Sequence, residues 1–438
     1  LAIINKGVST MKIIKNIEAA RSFIEDRNIA NAGQLSQNSV SSKYNDSVDE
    51  ILQNVRIKGD QALIEYTKQF DRVDITKIEL NHEDINNGAK SISKELFDAL
   101  KISSKRIYEF AKRTMPSSWF DPVTGLGESV VPMQKVGLYV PGGTATYPST
   151  VLMSSMIAKA VGVPEIILCT PPKINGMPDD SILAAAQIAG IDKVYCIGGA
   201  QAIAAMAYGT QTIPKVDKIC GPGNIFVTLA KKKVFGEVGI DGLFGPTETV
   251  VIADEIARPE FCAADMLAQA EHDELAFPVL ITTSENILNN VEIELNRQLE
   301  NLDRNQIAKE SINNNCALIL VDNVEMCVEL SNLIAPEHVC LNIQNPNDWM
   351  KQIINAGAIF VGDYSAEVMG DYIAGPSHTL PTFGTSRYSS YLGAQQFIKY
   401  MPIIGLDNET VKELIPTAMI ISEHEGLTGH RESARIRL

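Results

Sequence analysis

The stretch Val136-Gly137-Leu138-Tyr139-Val140-Pro141-Gly142-Gly143 decides the fold. An apolar run of strand length ends on a proline and two glycines, a turn, and an alanine-rich helical stretch follows near 149–161. The same rhythm continues outward. Strands are expected at Glu165–Cys169, Lys193–Ile197 and Lys218–Cys220, with helices near 180–189, 199–208 and 224–234. Strand, turn, helix and strand in series is the sequence form of a parallel, doubly wound sheet. A second block of this kind is expected between Glu248 and Val361, with strands at Val250–Ala253, Val279–Thr283, Ala317–Val321, Val339–Ile343 and Ala358–Val361. Upstream, residues 12–113 show apolar positions at helical spacing, as in Ile13-Ile14-Ile17 and Leu96-Leu100-Ile107. Met115-Pro116 to Gly127 is rich in turn formers, a plausible boundary. From about Leu392 onward the alternation stops, and a helical tail is expected.

A chain of 438 residues is too long for one ordinary core. With 45% apolar and 21% charged residues it has the balance of a packed globular protein. Its net charge of −15 disfavours nucleic acid and anionic membrane as partners. No apolar run reaches the roughly 18–20 residues that span a bilayer. The N-terminus lacks the pattern of an export signal, and residues before Met11 read as an extension. Seven dispersed cysteines without a C-x-x-C pair read as reduced thiols, which points to the cytoplasm.

Only six histidines occur, and four of the five in the C-terminal part have a carboxylate or carboxamide close by. Gln269 and His272 share a helix face at i, i+3. Glu337 precedes His338 directly, Asp371 precedes His378 by seven positions, and Glu425 precedes His430 by five. Imidazole with oxygen donors and no paired thiolates suits zinc or a similar borderline cation in an open, reactive site. Four glycine turns, Pro141-Gly142-Gly143, Gly198-Gly199-Ala200-Gln201, Gly221-Pro222-Gly223-Asn224 and Gly245-Pro246-Thr247-Glu248, lie near strand ends. There backbone N–H groups can meet a phosphate. None matches G-x-G-x-x-G.

Taken in order, Val136–Gly143, Gly221-Pro222-Gly223-Asn224, Gln269-Ala270-Glu271-His272, Ala335-Pro336-Glu337-His338, Gly370-Asp371-Tyr372, Pro376–Thr382 and Glu425–His430 resemble the histidinol dehydrogenase family. The resemblance implies an α/β protein of two doubly wound Rossmann-like domains with a helical N-terminal region and a helical C-terminal tail. It implies two successive oxidations, from alcohol through aldehyde to carboxylate, with two NAD reduced. One zinc ion per subunit would rest on Gln269, His272, Asp371 and His430. Glu337 and His338 would be the acid–base pair. Thr247, His378 and Glu425 would hold the substrate together with Gln269, His272, His338, Asp371 and His430. Tyr139, Gln201 and Asn224 would contact NAD. A homodimer with shared sites is implied, in which the tail serves the neighbouring subunit.

The expected layout is an N-terminal segment 1–33, a first domain 34–113 plus 248–390 with the zinc and catalytic residues, a second domain 114–247 on the NAD side, and the tail 391–438. Thr247 stands where serine is common in the family, and Ser377 where asparagine is frequent. Two rival readings follow. A zinc and NAD alcohol dehydrogenase acting on another small alcohol, such as a sulfonated diol, would not need His378 and Glu425. A zinc hydrolase would not need NAD, and the chain lacks H-E-x-x-H.

Overall fold

The computed structural model describes residues 11–35, 42–142 and 146–438. Gly143 and the extension before Met11 lie outside the described residues. Two six-stranded sheets form the body. The first runs, edge to edge, through strands Lys12–Ile14, Ala317–Leu320, Phe277–Thr282, Glu248–Ala253, His338–Asn342 and Ala358–Val361, all parallel. The second runs through Glu79–Leu80, Lys193–Tyr195, Glu165–Cys169, Lys135–Tyr139, Lys218–Cys220 and Gly239–Ile240. Its first strand is antiparallel and the rest are parallel. Numbered by chain order within each sheet, both read 1-4-3-2-5-6. The topological switch therefore falls beside Lys135–Tyr139 in one and beside Glu248–Ala253 in the other.

Each sheet is buried on both faces, which is why its strands are apolar throughout rather than alternating. Val136, Leu138 and Val140 face one core with helices Pro148–Val161 and Asp180–Ala189, while Tyr139, Ile167 and Cys169 face the other with Gly199–Tyr208 and Ile225–Val234. In the first sheet Val251 and Ala253 face helices Pro259–Ala270 and Glu285–Leu299, and Val250 and Ile252 face Ile17–Leu35 and Val324–Ile334.

Three expectations need correction. Residues 42–113 pack on the second sheet rather than the first: helix Ser42–Lys58 packs on Gly199–Tyr208, and Lys94–Arg113 packs on Pro148–Val161, while Ser103 and Arg106 also donate to the carbonyls of Tyr372, Ile373 and Ala374. The amphipathic period marks a buried face without saying which sheet covers it. Residues 12–14 form an edge strand and not a helix, so it is the N-terminal segment that joins the first sheet. The turn-rich boundary and the start of the tail instead form a third, antiparallel sheet of Ile398–Ile404, Leu126–Pro132 and Trp119–Asp121. Two helices, Asn408–His424 and Thr428–Arg435, complete the tail. No helix among the described residues is long and apolar enough to cross a membrane.

Candidate active site and a second cavity

At the carboxyl edge of the second sheet lies a cavity of about 870 Å³, lined by Tyr139, Gly142, Gly199, Gln201 and Asn224 among others. That volume suits a cofactor-sized ligand. Tyr139 ends its strand, and its phenol oxygen accepts the Gly199 N–H at 3.0 Å. Burial pushes its pKa up to about 12, so the phenol keeps its proton. Asn224 caps helix Ile225–Val234 by accepting from the N–H groups of Phe226 and Val227 at 3.1 and 3.2 Å. Gln201 is buried, and its side-chain oxygen has no hydrogen-bond partner. All three residues expected to contact NAD therefore line one cavity.

The turn beside them is held from both sides. Gly221 donates its N–H to Asp241 Oδ2 at 2.6 Å and accepts from Lys231 Nζ at 2.9 Å, and Lys231 also pairs with Asp241 in the interior. Only glycine fits there. Its φ is +125°, and a Cβ would stand 2.0 Å from the Tyr139 carbonyl oxygen.

A second cavity, of about 450 Å³, is lined by His338, Asp371, Ser377 and His378 with Phe360 and Leu380. Thr247 Oγ1 donates to Gln269 Oε1 at 2.8 Å, and Gln269 Nε2 donates to Asp371 Oδ2 at 3.3 Å. Asp371 Oδ1 lies 3.9 Å from His338 Nε2, and Glu337 Oε2 lies 3.9 Å from His338 Nδ1. Glu337 Oε2 also accepts the Glu248 N–H at 3.4 Å. The backbone explains the meeting. Thr247 and Glu337 immediately precede the adjacent strands Glu248–Ala253 and His338–Asn342. Gln269 ends helix Pro259–Ala270, and Asp371 rides on the short helix Glu367–Tyr372.

His378 joins the two halves. Its Nδ1 faces the Asp371 carbonyl oxygen at 2.9 Å, which can only accept, so Nδ1 carries the proton. Nε2 then accepts from Thr150 Oγ1, at 3.1 Å, on the other half of the molecule. Ser377 is buried, and its hydroxyl accepts the Thr379 N–H at 3.2 Å, so the departure from asparagine is spent on the local turn.

Burial dominates the electrostatics. It lowers the pKa of His338 to about 3 and of His378 to about 4, and it lowers His272 as well. His272 is solvent-accessible at its surface, and desolvation by the surrounding protein is the largest cause of its shift. The same burial raises Asp371 to about 6 and Glu337 well above the carboxylate range. Both ring nitrogens of His338 are buried without a hydrogen-bond partner.

Glu425 and His430 are not part of this cluster in their own chain. Both are exposed, and the hydrogen bonds of residues 425–438 stay within the tail, as from His430 N to Leu427 O at 3.0 Å. Among the described residues no set of three or more His, Cys, Asp or Glu side chains stands ready to hold a metal ion. Of the four expected zinc ligands, one is a carboxamide and another lies on the tail, which leaves His272 and Asp371. The chemistry of the site nevertheless fits a cation. The imidazoles are held neutral, their ligating form, and after burial the causes that raise the two acids are other carboxylates, Asp371 and Glu248 for Glu337 and Asp265 for Asp371.

Four residues escaped the sequence reading. Thr150 holds His378, and Arg27 reaches Glu248 at 3.2 Å while stacking on Phe277. Glu367, fully buried one helical turn before Asp371, accepts from Thr249 Oγ1 and from Cys340 Sγ. Asp71 lines the cavity of about 870 Å³. No local pattern marks any of them.

A family model described as histidinol dehydrogenase matches residues 35–438. The histidinol dehydrogenase of Dehalococcoides mccartyi strain CBDB1 is 47% identical over 393 residues, 90% of each chain. That of Aquifex aeolicus is 47% identical over 399 residues, 90% of this chain and 92% of the relative. The crystal structure of histidinol dehydrogenase from Elizabethkingia anophelis superposes with a TM-score of 0.92 at 35% identity, covering 98% of both chains.

Proposed function

This chain belongs to the histidinol dehydrogenase family, and from that premise we propose that it oxidises L-histidinol to L-histidine through the aldehyde, using NAD twice, as the last step of histidine biosynthesis. One observation carries the reading. Thr247, Gln269, Glu337, His338, Asp371 and His378, drawn from well over a hundred residues of sequence, surround one site, and His378 bonds Thr150 of the half that holds the cofactor-sized cavity.

Gln269, His272 and Asp371, with a His430 brought by the second copy, would hold zinc, which would supply a Lewis acid that anchors the substrate, and NAD would supply the hydride acceptor. The neutral imidazole of His338 accepts the hydroxyl proton as that hydride leaves. Glu337, once ionised, takes a proton from the water that adds to the aldehyde, and His338 serves the second oxidation as it served the first. One alcohol, one water and two NAD thus yield a carboxylate, two NADH and three protons. Thr247 and His378 position the substrate, and Asp371, through its carbonyl, sets the tautomer of His378. Only once ionised would Asp371 and Glu337, each 3.9 Å from a ring nitrogen, lower the cost of an imidazolium at His338, which burial otherwise opposes.

The working unit is a cytoplasmic homodimer with shared sites, in which the tail of each copy brings Glu425 and His430 to the other. The exposed tail supports this reading. Leu414, Ile420, Ile421 and Ile404 present apolar surface to solvent, as does Trp119 on the adjoining sheet. The test is NADH formation from histidinol by purified protein, before and after a chelator. Turnover that is lost with the chelator and returns with zinc is expected. Fast turnover of a simple or sulfonated diol with none of histidinol would overturn the substrate assignment.

A further inference from the structure

The cavity at the carboxyl edge of the second sheet has one wall that does not come from that sheet. Ile51, Phe70 and Asp71 belong to the helical region that wraps it, and Asp71 ends the turn of helix Thr67–Asp71. Arg72, in the left-handed region at φ 59°, then turns the chain away.

The Asp71 carboxylate is unusual in its company. Oδ2 is buried and has no hydrogen-bond partner. The other charged side chains on the wall, Lys173 and Asp179, are paired with each other, so the ammonium there is already taken. Burial raises the Asp71 pKa to about 6 with no cation contributing, which leaves an ionised, uncompensated carboxylate at neutral pH. A buried acceptor of this kind is costly unless a ligand supplies donors. Beside it the wall is apolar. Phe70 is half-exposed and stacked on Tyr66, with ring centroids 5.4 Å apart and planes within 2° of parallel. Phe226 and Ile51 line the same cavity.

A flat heterocycle against the apolar wall, joined to a sugar with two adjacent hydroxyls, supplies what this corner lacks. We propose that Asp71 accepts hydrogen bonds from the ribose diol of the adenosine half of the dinucleotide and excludes a 2′-phosphate, so that the cavity takes NAD and refuses NADP. The inference rests on the reading of this cavity as the dinucleotide site and adds the residue that sets its specificity. Phosphorylating the 2′-oxygen removes a donor and places two negative charges against a third in a partly desolvated pocket.

The test is calorimetric binding of NAD and NADP to the zinc-loaded protein, its Asp71→Asn variant and its Gln201→Ala variant, with melting temperatures as a check on folding. In Asp71→Asn the Kd for NAD should rise about tenfold, the scale of one lost charge-assisted hydrogen bond. The Kd for NADP should hold or fall, narrowing the ratio between the two at least tenfold. Gln201→Ala should weaken both alike. If Gln201→Ala weakens NAD binding while Asp71→Asn leaves the NAD-to-NADP ratio unchanged, the inference is wrong and the dinucleotide reading stands. If the parent protein binds neither nucleotide, the dinucleotide reading fails and takes the inference with it.

Discussion

Replacing Lys231 by methionine tests how the turn at Gly221 is built. The Lys231 side chain is 2% exposed, and its ammonium bridges Asp241 and the Gly221 carbonyl, the latter at 2.9 Å. Methionine keeps most of the side-chain volume and removes the charge. Asp241, 1% exposed, then keeps only the N–H groups of Gly221 and Gly242, at 2.6 and 2.8 Å, to hold a full negative charge. Breaking one side of a buried pair costs about 3–5 kcal/mol. In a folding unit of roughly 200 residues that lowers the melting temperature by roughly 6–20 °C. Adding Asp241→Asn removes the stranded charge, so the double variant should recover at least half of the loss. Thermal melts followed by circular dichroism measure both. NAD titrations should show weaker binding by Lys231→Met, because the Gly221 carbonyl is no longer pinned beside Tyr139. A Lys231→Met melting point within 2 °C of the parent, or a double variant less stable than the single one, would refute this account.

Two further outcomes are expected. Burial raises the Glu367 pKa to about 8, far above the ordinary carboxylate range, so the parent is most stable below about pH 4.5 and loses that contribution as pH rises through 8. Glu367→Gln cannot ionise. Its melting temperature relative to the parent, measured in chelator, should therefore climb between pH 5 and pH 9, and a flat difference counts against a neutral acid at this position. In the tail, deletion of residues after about 420 should abolish turnover with most of the α/β body still folded, and His338→Ala should lower turnover by roughly 10²–10⁴. Mixing these two inactive proteins should restore activity in heterodimers. A verified heterodimer with none would place His430 in the service of its own chain.

What was legible in the chain follows from which forces act locally. The central strands of both sheets begin and end within a few residues of expectation, because a strand covered on both faces must be apolar along its length. The edge strands Lys12–Ile14 and Glu79–Leu80 are too short to leave such a run. Ile398–Ile404 went unseen because lysine, tyrosine and proline interrupt it, and its pairing with Leu126–Pro132 spans far too much sequence to be local. The placement of 42–113 against the second sheet is a tertiary choice. At the site the histidines stood out because there are only six. Asp71 and Glu367 are two acids among 53, and burial alone distinguishes them. Thr150 and Arg27 matter through partners 228 and 221 positions away.

The strand Lys12–Ile14 pairs in register with Ala317, Leu318 and Ile319. During synthesis at about 5–20 residues per second, its partner emerges from the ribosome roughly 15–60 s after it. Strands from Glu79 to Ile240, all of the other sheet, are complete well within that interval. The nascent chain must therefore finish its middle first and keep Lys12–Ile14 waiting, an unpaired strand available to chaperones until Ala317–Leu320 has emerged.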